Sequence, residues 1–90
     1  MSINQMSNDE IAKTIHTLLA SRAAESSICP SDVARALVPH DELAWRALMP
    51  QIRQVAAALS GQGLLRVTRG DAVVDAKSPG GPIRLRRPRE

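Results

Sequence analysis

The sequence has one Trp, no Phe and no Tyr. A chain this poor in aromatics cannot stack successive bases on side-chain rings, which argues against a binder of single-stranded nucleic acid. Only one cysteine is present, Cys29, so an intramolecular disulfide is excluded and a reducing compartment fits. No apolar run approaches the roughly 20 residues that span a bilayer. The segment Met1-Ser2-Ile3-Asn4-Gln5 lacks the basic and apolar regions of a signal peptide. The expected location is therefore the cytoplasm, with no membrane partner.

Catalytic chemistry is equally sparse. His16 and His40 have no second His or Cys at ligand spacing, so neither a metal nor another cofactor is expected. Gly61-Gln62-Gly63 follows a helical segment, the wrong order for a strand-to-helix loop that cradles phosphate. Cys29 precedes a helix start, where a thiol can be activated. With no resolving cysteine in the chain, it reads as a small structural side chain. Trp45 reads as a filler between helices. The expectation is a domain that is not an enzyme.

What is abundant is alanine and arginine. Ninety residues make one small domain, burying about 60–65% of its unfolded surface around a single core. Alanine favours helix, because it loses no side-chain entropy there. Charge is segregated along the chain. Through Trp45, three basic residues face six acidic ones; from Arg46 onward, nine basic residues face three acidic ones. Such an asymmetry points to a face built for an anionic partner.

Ser7-Asn8-Asp9-Glu10 is a capping box, with Met6 and Ile11 at the staple positions. Ile11, Ile15, Leu18 and Leu19 then recur at helical spacing, predicting a helix from about Asn8 to Ala23. Ile28-Cys29 suits a very short strand. Ser31 is the expected cap of a second helix with Val33, Ala36 and Leu37 inward, ended by Pro39. Helical period returns from Asp41 to Ser60. Pro50 inside that run predicts a break near Leu48–Met49, with Pro50 opening a fresh helix. Gly61 and Gly63 stop it.

Beyond Gly63 the period becomes two. Leu65 and Val67 face one side while Arg66 and Thr68 face the other, and Ile83-Arg84-Leu85-Arg86 alternates likewise. Gly70-Asp71 and Ser78-Pro79-Gly80-Gly81-Pro82 are turn chemistry, and the pairing of residues 72–76 stays open. This order gives an α+β class: a winged helix-turn-helix of three to four helices with a C-terminal β-hairpin wing. Residues 1–6 are expected to be a flexible N-terminus, 7–87 the domain and 88–90 a tail. The expected core is Ile11, Ile15, Leu18, Leu19, Val33, Leu37, Leu48, Ile52, Val55, Leu59, Leu65, Val67 and Leu85.

The blocks Ser27-Ile28-Cys29-Pro30-Ser31-Asp32-Val33-Ala34-Arg35-Ala36-Leu37, Trp45-Arg46-Ala47-Leu48-Met49-Pro50, Val67-Thr68-Arg69-Gly70, Val73-Val74-Asp75 and Gly81-Pro82-Ile83-Arg84-Leu85-Arg86 occur in that order. Together they resemble a small bacterial family of domains of unknown function with the winged-helix fold. The similarity runs from about Ser27 to Arg87. Arg69 departs from the family pattern, which carries a different polar residue after the Val-Thr pair. The resemblance implies the fold and no activity.

A helix starting at Asp41 would offer Asp41 and Glu42, which phosphates repel. Starting at Pro50, it offers Gln51, Arg53 and Gln54 on the side opposite Ile52, Val55 and Leu59. Glutamine pairs bidentately with adenine and arginine with guanine. Arg66, Lys77, Arg84, Arg86 and Arg87 on the hairpin would supply phosphate contacts. The expected partner is double-stranded DNA. The alternative is a protein-interaction module, without DNA binding, whose partner is an acidic protein.

Overall fold

Capping chemistry and proline positions set four helices among the described residues. In the computed structural model, which describes residues 6–70, 72–77 and 80–88, α1 spans Asn8–Ala20 and α2 Pro30–Leu37. The short α3 covers Glu42–Ala47, and α4 runs Met49–Gly61. The expected flexible N-terminus and tail fall, for residues 1–5 and 89–90, outside the described residues. Met6 packs against the core.

The Ser7 side chain accepts the Glu10 amide at 3.1 Å, and the Ser7 hydroxyl donates to the Glu10 carboxylate. This cap fixes the start of α1, whose buried stripe is Ile11, Ile15 and Leu19. The helix stops at Ala20, three residues before the expected Ala23, because the Ser21 hydroxyl and amide both turn back onto Leu18 O. The start of α2 also differs from expectation. Cys29, not Ser31, is the N-cap, and Pro30 fills the first helical position, where its missing N–H costs nothing. Asp32 reaches back to accept the Cys29 amide at 2.9 Å. The buried residues of α2 are Pro30, Val33 and Ala34, while Ala36, expected to face inward, is exposed.

The break at Leu48 is present. Leu48 closes α3 and opens α4, with Pro50 in the first turn of the new helix. Ile52, Val55, Ala56 and Leu59 form the buried face of α4. That face packs against α1 and α2.

Four strands complete the domain: β1 at Ser27–Ile28, β2 at Arg66–Arg69, β3 at Ala72–Val73 and β4 at Arg84–Arg86. They form one antiparallel sheet in the order β1-β4-β2-β3. Ile28, Leu85 and Val67 align as one rung across three strands, and all three are fully buried. β3 resolves the open segment by pairing with β2, and the hairpin between β2 and β4 carries Ala76 and Ile83 down into the core. Gly70, at φ +60°, turns β2 into β3.

Of the expected core, Leu18, Leu37 and Leu48 are only partly buried, while Ile28, Ala34, Ala56, Ala76 and Ile83 join it. Each fully buried Ile, Leu or Val contributes about 1.5–3 kcal/mol. The result is an α+β architecture of four helices and a four-stranded antiparallel sheet, compatible with the winged-helix arrangement. Among the described residues no helix is long and apolar enough to cross a membrane.

Candidate functional site

The rung that buries Ile28, Leu85 and Val67 against the helices turns its neighbours outward. Strand alternation puts Arg66 and Thr68 of β2, and Arg84 and Arg86 of β4, on the sheet face away from the core. Arg66 stands directly opposite Arg86, and Thr68 opposite Arg84.

These arginines are not equivalent. Arg84 donates from Nε to Ser27 Oγ at 2.8 Å and from Nη2 to Ser27 O at 3.1 Å, while Nη1 contacts Cys29 Sγ. It clamps β4 to β1 and to the cap of α2. Arg86 donates to Thr68 Oγ1 and to Glu25 O, each at 3.2 Å. Arg87 donates to Leu19 O and Arg22 O, both at 2.8 Å. It thus satisfies carbonyls at the C-terminal end of α1, where a cation also suits the helix dipole. Arg66 differs from all three: its Nε is buried and has no hydrogen-bond partner among the described residues.

Arg66, Thr68, Arg86 and Arg87, with Glu25 and Pro88, line a groove of about 400 Å³ that extends to Gly70. Among the described residues, ion pairs join Arg35 to Asp32 at 2.9 Å and Arg46 to Glu42 at 2.8 Å. Arg35 and Arg46 are also the guanidiniums over Trp45, 5.4 and 4.9 Å from the ring centre. Trp45 is therefore half-buried beneath two cations and packs against the core edge. Those acids are engaged on α2 and α3, and none pairs with Arg66, Arg84, Arg86 or Arg87.

The helix candidates separate as well. Gln51 Nε2 donates to Met6 O at 2.8 Å and to Asn8 Oδ1 at 2.9 Å. Its amide ties the first turn of α4 to the start of α1 instead of pointing freely outward. Gln54 is exposed and borders a shallow groove with Asn8 and Asp9 of α1. Arg53 is half-buried on the opposite flank of α4. Lys77 is exposed in the hairpin, where its amide donates to Asp75 Oδ1 at 2.8 Å.

Sequence reasoning selected the arginines and missed what holds them. Ser27, Cys29 and Thr68 accept from side chains 18 to 57 residues away. The period-two pattern shows which residues face outward, but not which strands are neighbours.

No curated protein matches the chain. A family model described as a protein of unknown function, DUF3253, matches residues 8–88. With nearly its whole length covered, the chain belongs to the DUF3253 family of proteins of unknown function.

Proposed function

We propose that this domain binds double-stranded DNA, with α4 entering a groove and the β2–β4 hairpin flanking it. The observation that carries this reading is the outward face of α4. It combines Arg53 and Gln54 with the small exposed residues Ala58 and Gly61, and the helix contains no acidic residue. Small residues let a helix approach base edges closely, while Arg and Gln are the side chains that read guanine and adenine. Lys77 on the hairpin supplies a phosphate contact. Arg84, Arg86 and Arg87, held by internal hydrogen bonds, contribute field more than direct contacts.

On this reading the protein is a non-enzymatic domain of a bacterial cytoplasm. The isolated domain has micromolar or weaker affinity, falling with a salt slope of about −0.9 per neutralised phosphate. Fluorescence anisotropy with a labelled duplex at two salt concentrations tests it. Binding that is absent at low salt overturns it.

One observation favours a protein partner instead. Leu43 on α3 is 83% exposed. A protein partner with an apolar side chain would suit that residue, and chemical-shift changes at Leu43 rather than Arg53 would identify it.

A further inference from the structure

The groove on the outer sheet face has three properties that point to a ligand. First, Arg66 and Arg86 are direct cross-strand partners, and like charges in that relation repel. Among the described residues no carboxylate pairs with either one. Second, the Arg66 Nε is a buried donor without an acceptor among the described residues, whereas the great majority of buried polar atoms are satisfied. Third, these groups converge on a concavity of about 400 Å³, within the range of small-molecule sites, about 300–1,000 Å³.

The geometry points to a phosphate-binding site, for free phosphate or a phosphate group carried by a small molecule, lying between the β2–β4 pair and the turn from α1 to β1. Arg66 is its principal ligand. A guanidinium presents a planar fork of donors that matches phosphate oxygens, and a dianion offsets two facing cations where a carboxylate offsets one. Thr68 forms the floor, only 4% exposed, and its hydroxyl holds the Arg86 Nε in place. Arg87 adds charge from the far wall while remaining fixed to α1. Among the described residues Glu25 is the one acid on the lining; its backbone carbonyl engages Arg86, and its carboxylate lowers the affinity for an anion.

The groove lies on the sheet face turned away from α4, so this site is independent of the DNA-binding reading.

The test uses the full chain with inorganic phosphate and adenosine monophosphate as probes, against sodium chloride at matched ionic strength. Thermal unfolding and NMR of the arginine Nε–Hε signals are the readouts. A ligand that binds only the folded state at tenfold its Kd raises Tm by about 5–10 °C for a domain of this size. The Arg66 Nε–Hε signal should shift saturably. R66Q should weaken binding at least tenfold without lowering Tm in the absence of phosphate, since the Arg66 Nε has no hydrogen-bond partner to lose among the described residues. E25Q should tighten binding a few-fold, and K13Q on α1 should leave it unchanged. Tighter binding of the nucleotide assigns a phosphorylated organic ligand, and equal binding assigns free phosphate; both support the site. A Tm change equalled by chloride overturns it, as does wild-type binding by R66Q or an Arg66 signal that responds only to duplex DNA.

Discussion

The side-chain amide of Gln51 reaches from the first turn of α4 to the Asn8 carboxamide oxygen, 2.9 Å away at the start of α1. The same amide nitrogen donates to Met6 O. Two helices distant in sequence are thereby fixed end to end at the point where each begins. The first polar residue of the proposed reading helix is therefore structural.

Gln51→Ala should lower stability by about 1–3 kcal/mol, because it strands a part-buried carbonyl as well as removing two hydrogen bonds. Urea denaturation monitored through Trp45 measures this. DNA affinity, compared at a temperature where both proteins are folded, should change less than twofold.

Arg84 and Arg66 occupy the same outward face but should respond oppositely. Arg84→Gln removes the clamp on Ser27 and Cys29 and should cost about 1–3 kcal/mol. Arg66→Gln removes a like-charge neighbour of Arg86 and should be neutral or stabilising by up to about 1 kcal/mol. Equal losses for the two variants in parallel urea melts would refute the distinction.

The cap of α2 permits a third prediction. Asp32→Ala breaks both the bond to the Cys29 amide and the ion pair with Arg35, and should destabilise by about 1 kcal/mol. Cys29→Ser should hold stability within about 0.5 kcal/mol of wild type or raise it, since serine is a good N-cap and its oxygen can still accept from Arg84. A large loss in C29S would show that the sulfur packs in a way a hydroxyl cannot replace.

In the core, Leu85→Ala should cost about 2–5 kcal/mol, as Leu85 is fully buried between Ile28 and Val67. Leu43→Ala, at an exposed position of α3, should change stability by less than about 0.5 kcal/mol. Thermal melts of the two variants give the contrast directly.

For DNA, Arg53→Ala should raise Kd by a factor corresponding to about 1–3 kcal/mol and reduce discrimination between duplexes. Lys77→Gln should weaken all duplexes alike and reduce the salt slope by about 0.9. Arg66→Gln should leave DNA affinity unchanged, which separates the α4 surface from the groove behind the sheet.

Local chemistry made much of the fold legible. Ser7 and Glu10 mark the start of α1, and Pro50 marks the break between α3 and α4. The alternation of Leu65 to Thr68 marks the inward face of β2. These signals act within a few residues, through caps, forbidden dihedrals and strand period. Ala76 escapes that reading for the complementary reason. It lies in turn-rich sequence, and nothing local shows that the hairpin folds it back onto the core. The cap of α2 was misplaced by two residues because Ser31 is the stronger cap by type, whereas the Cys29 position is secured by Asp32 and Arg84 together.

The candidate site divides along the same line. That the second half of the chain is arginine-rich, and that Arg66, Arg84 and Arg86 face away from Val67 and Leu85, follows from composition and from a period of two. Which of those arginines is engaged was decided only by the order β1-β4-β2-β3. That order brings Ser27 and Cys29 to Arg84 and sets Thr68 beside Arg86, leaving Arg66 facing Arg86 with its Nε lacking an acceptor among the described residues. A side chain's direction is fixed by its own backbone, whereas its partner is fixed by closure of strands up to 57 residues apart.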